Sequence, residues 1–88
     1  MYELALRKTV ERTFSKLSKK YPGLMRAVYH KIDEILEDPH RYKNLRRPLK
    51  HLKRVHLEKS FVMVFSVDEA ENLVIIEAFD HHDRIYKV

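Results

Sequence analysis

The chain contains no cysteine, so it has neither disulfides nor thiolate metal sites, and the usual structural zinc patterns are excluded. Zinc held by histidine and carboxylate stays open. The absence of cysteine fits a reducing cytoplasm, which is the expected location. Glycine occurs once, which rules out glycine-rich loops that cradle nucleotide phosphates. No apolar run approaches the roughly 20 residues that span a bilayer. The opening MYELALRKTV carries Glu3 early and has no apolar core or small-residue cleavage site, so no signal peptide is expected. Glutamine is absent and asparagine occurs twice, against 35% charged residues. Few thermolabile amides among many charges resemble thermophile composition. At 88 residues, a single domain covering 1–88 is expected, with one compact core.

Acidic residues are also missing from one particular stretch. From His40 through Leu57 there is no Asp or Glu, yet Arg41, Lys43, Arg46, Arg47, Lys50, Lys53 and Arg54 all fall there. His40, His51 and His56 add partial charge. The acids sit elsewhere, at Asp33 to Asp38, Asp68 to Glu71 and Glu77 to Asp83. The formal net charge of +5 is therefore segregated as well as positive, which favours an acidic partner.

Hydrophobic periodicity orders the elements. Tyr2 to Leu6 alternates, as a short first strand does. Val10, Phe14, Leu17 and Tyr21 recur at helical spacing, and Tyr21-Pro22-Gly23 ends that helix. Met25, Val28, Ile32, Ile35 and Leu36 mark a second amphipathic helix that stops before Asp38-Pro39. Val55 and Leu57 then alternate with Arg54, His56 and Glu58, as in a half-exposed strand. Phe61 to Val67 is apolar on both faces and suits a central strand. Residues Asp68 to Asn72 form a polar turn, and Leu73 to Phe79 a second buried strand. The expected class is α+β: an N-terminal strand, a helical hairpin and a three-stranded antiparallel meander. Together the strands make one mostly antiparallel sheet with the helices on one face.

Two segments carry chemistry. In the basic stretch, cations neutralise phosphates by counterion release, while Tyr42, His51 and His56 offer rings that stack on bases. Seventeen residues without an interleaved acid, from His40 to His56, are unlike an ordinary lysine-rich solvated face. A polyanion partner is expected, without a choice between DNA and RNA or between binding and cleavage. The second segment is Asp80-His81-His82-Asp83-Arg84-Ile85-Tyr86. Adjacent histidines on a strand point to opposite faces and chelate metal poorly, and the bland reading is a polar tail whose histidines bond neighbouring carboxylates. The functional reading is a base, an acid and cations, which suffice for attack of a ribose 2′-hydroxyl on its own phosphate. That chemistry needs neither cofactor nor metal.

Taken together these residues resemble the RelE/ParE toxin superfamily, specifically its RelE- and YoeB-like ribonuclease branch. The resemblance rests on the helical hairpin, the turn at Asp38-Pro39, and Leu45-Arg46-Arg47-Pro48-Leu49-Lys50-His51-Leu52. It continues through Arg54-Val55-His56-Leu57 and Phe61-Val62-Met63-Val64-Phe65-Ser66-Val67 to His81-His82-Asp83-Arg84-Ile85-Tyr86. Pro48 to His51 is similar to the YoeB group, and the closing block to the family's Gly-His-Arg, two spacers, Val-Tyr ending. The resemblance implies the toxin of a toxin–antitoxin pair that enters the ribosomal A site. Such a toxin inhibits translation by cutting mRNA without metal, leaving a cyclic phosphate. Its implied partners are the ribosome, mRNA and a small RelB-like antitoxin, with a homodimer or a toxin–antitoxin heterotetramer as assemblies.

Carried over by position, Lys53, Arg54 and His56 match the strand residues that hold the phosphate. His82 falls where the ending usually has arginine, and Tyr86 matches the terminal tyrosine that stacks on a base or aids proton transfer. Arg41, Lys43, Arg46, Arg47, Lys50, His51 and Arg84 would contact RNA or the ribosome. One departure counts against cleavage: Val62 stands where family nucleases commonly have arginine. Losing a guanidinium from an electrostatic site costs on the order of 10²-fold or more. The alternative is a binding module in the same fold, either a ParE-like gyrase inhibitor or a catalytically spent toxin.

Overall fold

The computed structural model describes residues 1–85. They form β1 (Glu3–Leu6), α1 (Lys8–Lys20), α2 (Pro22–Glu37), β2 (Lys53–Leu57), β3 (Phe61–Asp68), β4 (Leu73–His81) and α3 (His82–Ile85), with a 3₁₀ turn at Pro39–Arg41. Proline sets the helix boundaries. Tyr21 closes α1 by donating its N–H to Leu17 O at 2.7 Å, and Pro22 opens α2 where an amide would have no helical acceptor. Asp38 ends α2 directly before Pro39, whose ring disfavours helical backbone in the preceding residue. Val10 and Phe14 of α1 face Met25, Val28, Ile32 and Ile35 of α2 across one core. Tyr21, expected in the first stripe, is 58% exposed because it occupies the corner between the helices.

The sheet runs β1-β4-β3-β2. Strands β2, β3 and β4 form the expected antiparallel meander, with Leu57 opposite Phe61 and Phe61 opposite His81. β1 instead pairs parallel with β4, Glu3 lying opposite Leu73 and Leu6 opposite Ile76. The helical hairpin explains this mixed sheet. α2 returns the chain to where β1 began, as the Tyr2 N–H bond to Leu36 O at 3.0 Å records. β2 then departs in the direction of β1, and two reversals leave β4 running the same way.

Val55, Leu57, Met63, Phe65, Val74, Ile76 and Phe79 meet the helices on one face of the sheet. Phe14 stands edge-on to Phe79 at 5.3 Å, and Phe61 stacks on Phe79 at 5.4 Å. Val62 and Val64 are buried from the other face, so β3 is apolar on both sides as its composition requires. Pairing slips between Val64 and Phe65, which face Ala78 and Ile76, so Glu77 is the extra residue of a bulge. β4 extends two residues past Phe79, and the tail then turns helical at His82.

Candidate nucleic-acid site

β2 sorts its side chains by strand alternation. Val55 and Leu57 point into the core, which sends Arg54 and His56 to the open face and Lys53 inward. Lys53 is only 7% exposed. A buried ammonium is costly unless it is hydrogen-bonded, and here Nζ donates to Tyr42 O at 2.8 Å and Asn44 Oδ1 at 2.7 Å. Asn44 in turn donates to Lys50 O, pairs with Lys53 through the backbone, and is followed by a Leu45 N–H bond to Leu52 O at 2.8 Å. Lys53 therefore fastens the basic connection to β2. It does not join Arg54 and His56 on one surface, as its carried-over role requires. The signal was present in the sequence, because Lys53 shares the parity of Val55 and Leu57.

The fastened connection overhangs the edge of β2. Arg41, Lys43 and Arg46 line a groove of about 800 Å³ together with Tyr42, Leu49, Arg54 and His56. The Arg41 guanidinium lies 5.8 Å from the centre of the Tyr42 ring, which itself stands edge-on to Phe65. Arg47, Lys50 and His51 are exposed on the same connection but do not line the groove.

At the end of the groove, His56 meets His82. Their rings stack with centroids 5.9 Å apart and planes inclined by 28°. The meander makes this contact: His56 pairs with Val62, Val62 with Asp80, and the His82 N–H donates to Ser60 O at 2.6 Å. Val62 between them is fully buried. His82 Nδ1 also lies 3.6 Å from Asp83 Oδ1. Two imidazoles, groups able to accept or donate a proton, thus lie beside Arg54 and the groove cations on one surface. Arg84 is not part of it. Its guanidinium lies 3.9 Å from Asp80 Oδ1 and lines a different groove, with Thr13, Leu17, Phe61 and Phe79. Tyr86 lies outside the described residues.

Two further polar clusters brace this architecture. Glu77, displaced by the bulge, accepts from Arg7 Nε at 2.8 Å and Nη2 at 3.2 Å and from Ser66 Oγ at 2.7 Å. Burial would raise its carboxyl pKa. The hydrogen bonds from Arg7 and Ser66, with the charges of Arg7 and His51, outweigh that and hold it below the usual glutamate value. At the start of β1, Tyr2 OH donates to Glu69 at 2.8 Å, and His40 bonds the same carboxylate. Those bonds hold the Glu69 carboxyl below its usual value and link the 3₁₀ turn to the β3–β4 turn. Among the described residues, no group of three or more His, Asp or Glu is placed to hold a metal ion. Likewise no helix among them is long and apolar enough to cross a membrane.

No family model matches the sequence. The chain is 49% identical over 87 residues to a Methanocaldococcus jannaschii protein named "Putative toxin RelE4", covering 99% of this chain and 93% of that protein. It is 52% identical over 86 residues to an uncharacterized protein of Methanosarcina mazei, covering 98% of this chain and all of the relative. Among solved structures, the toxin–antitoxin complex RelBE2 of Mycobacterium tuberculosis matches with a TM-score of 0.75 at 24% identity, over 92% of this chain and 91% of that one. The isolated Escherichia coli RelE toxin matches with a TM-score of 0.74 at 19% identity, over 92% and 84%. At these identities the two structures establish the fold alone.

Proposed function

The chain belongs to the RelE family of toxins from toxin–antitoxin systems, and on that premise we propose that it cleaves mRNA on the ribosome by attack of a 2′-hydroxyl on the adjacent phosphorus. The observation that carries this reading is the His56–His82 stack beside Arg54 at the end of the cationic groove. One imidazole accepts the 2′-hydroxyl proton. The new O–P bond closes a 2′,3′-cyclic phosphate while the bond to the 5′-oxygen breaks, and the other imidazole protonates that leaving oxygen. Arg54 and the groove cations Arg41, Lys43 and Arg46 offset the charge that develops on the phosphate. Side chains supply every proton and charge that the step needs. Silencing falls to a small RelB-like antitoxin, a partner suggested by the antitoxin-bound M. tuberculosis neighbour.

The test is a translating extract supplied with the purified protein, its mRNA mapped for cuts at the A-site codon. Cuts that disappear with His82→Ala are expected. Intact mRNA in the presence of folded protein overturns the enzymatic reading.

A binding-only module is the second reading, and Val62 is what favours it. An apolar, fully buried side chain lies between His56 and Asp80 where family nucleases commonly place a guanidinium. Stalled replication with intact mRNA, on expression in a sensitive host, would select a gyrase target. The absence of any growth defect would select a spent toxin.

A further inference from the structure

The two edges of the sheet are finished differently. β2 is covered by the basic connection, whose Asn44 bridges to Lys53. β1, at the other edge, has no strand beyond it among the described residues. Its parallel ladder decides which backbone groups are left over. Glu3 N–H donates to Asn72 O at 2.9 Å and Arg7 N–H to Ile76 O at 3.2 Å, so the odd-numbered residues turn their backbone toward β4. Leu4 and Leu6 therefore turn theirs outward. Among the described residues, no backbone hydrogen bond outside the helices and sheet ladders uses either of them.

Proteins commonly blunt such an edge with lysine, proline or a bulge. Glu3-Leu4-Ala5-Leu6 has none of these. Leu4 is 36% exposed and Met1 81%, so apolar surface accompanies the outward backbone. The open window is short. Tyr2 N–H is taken by Leu36 O of α2, and the chain leaves the strand for α1 at Lys8. Within that window one pairing uses every outward group: an antiparallel second copy of β1, related by a two-fold axis at Ala5. Leu4 of each copy then exchanges both backbone bonds with Leu6 of the other. The same register sets Glu3 of each copy opposite Arg7 of the other, on the face away from the helices. Both side chains are exposed. Arg7 gives Nε and Nη2 to Glu77, which keeps Nη1 for a second carboxylate. No ion pair among the described residues uses Glu3.

We infer that β1 is a self-association edge, at which two copies of this chain join their sheets into one, with four strands from each. A second copy fits better than an unrelated strand because the edge is complementary to itself, in hydrogen-bonding groups and in charge. Lys8 and Glu11, in the first turn of α1, offset one another and add little net charge beside it. The covered edge of β2 blocks head-to-tail extension of the sheet, which leaves the closed pair. Both cationic grooves lie at the outer edges of that pair, so it forms whatever chemistry they perform.

Sedimentation of the full chain would be followed from roughly 5 µM to 1 mM, because an interface this small belongs to the weak class. A concentration-dependent dimer is expected, with amide hydrogen exchange at Leu4 and Leu6 slowed at the upper end. Glu3→Arg turns two attractive cross-strand pairs into repulsive ones and should weaken the dimer by roughly tenfold. An unchanged circular-dichroism spectrum qualifies that variant as folded. Because the chain has no cysteine, Ala5→Cys places a single thiol beside the axis. Opposed Cα atoms lie about 4.5 Å apart there, within the reach of a disulfide. It should oxidise to a covalent dimer faster than Ser15→Cys, whose thiol stands on the exposed face of α1. A monomer at every concentration overturns the proposal. So does a dimer indifferent to Glu3→Arg, or one that cross-links no faster through Ala5→Cys than through Ser15→Cys. Protection of Leu4 and Leu6 only when a different protein is added would assign the edge to that partner, and overturns it too.

Discussion

His56 and His82 lie ring on ring, 5.9 Å between centroids, and so tie the exposed edge of β2 to the first residue of α3. Each imidazole limits the orientations open to the other, which on the proposed mechanism pre-positions both for proton transfer. The expected outcome is that His56→Ala and His82→Ala each lower cleavage by about 10² to 10⁴. The double variant should be little worse than the weaker single one, because groups acting as a unit are non-additive. Mapping cut frequency in a translating extract checks this. Full additivity would assign the two rings separate roles.

Lys53 is expected to act through the loop it holds. Lys53→Met leaves Tyr42 O and Asn44 Oδ1 without their donor, at a cost of about 1–3 kcal/mol in stability. Asn44→Ala should loosen the same loop and weaken RNA binding in the same direction without removing charge. Neither change should alter the salt dependence of single-strand binding, whereas Arg54→Gln should lower its slope by about 0.7. A slope that falls with Lys53→Met as it does with Arg54→Gln would return Lys53 to direct phosphate contact.

Much of this molecule is legible in its sequence. Pro22 and Pro39 mark both helix boundaries, and the double-faced apolar run of β3 identifies a central strand. Alternation in β2 already contains the inward turn of Lys53, although the resemblance to family members grouped it with Arg54 and His56. The parallel pairing of β1 and β4 was not legible, because it depends on where the helical hairpin returns the chain. Nor was the placement of Arg84 beside α1, since four residues of helix redirect a tail that reads as an extension of β4. Local patterns specify elements, while the joining of distant edges depends on packing.

The Arg7–Glu77 pair should make stability depend on acidity. Hydrogen bonds hold the Glu77 carboxyl below its ordinary value near 4.5. A depressed carboxyl contributes stability that is fully present above the unfolded value and is lost as pH falls through the folded one. The melting temperature should therefore decline below about pH 4.5, and Glu77→Gln should flatten that decline. Arg7 is 58% exposed, so the shift is expected to be only a few degrees. Melting curves between pH 3 and 6 check it, and identical pH dependence in the two proteins would remove Glu77 as a cause.

Phe65 connects stability to the groove. It is fully buried at the centre of the sheet, and its ring stands edge-on to Tyr42 at 5.8 Å. Tyr42 in turn packs under the Arg41 guanidinium and lends its carbonyl to Lys53. Phe65→Ala should cost about 3–5 kcal/mol, a large share of the 5–15 kcal/mol that holds a small domain together. Phe65→Leu keeps most of the apolar volume and should cost about 1–2 kcal/mol, yet it removes the aromatic edge that positions Tyr42. Urea unfolding would measure both costs. In the folded Leu variant, binding of a single-stranded RNA should weaken. If that RNA binds as in the wild type, the Tyr42–Phe65 contact serves the core and leaves the groove indifferent to it.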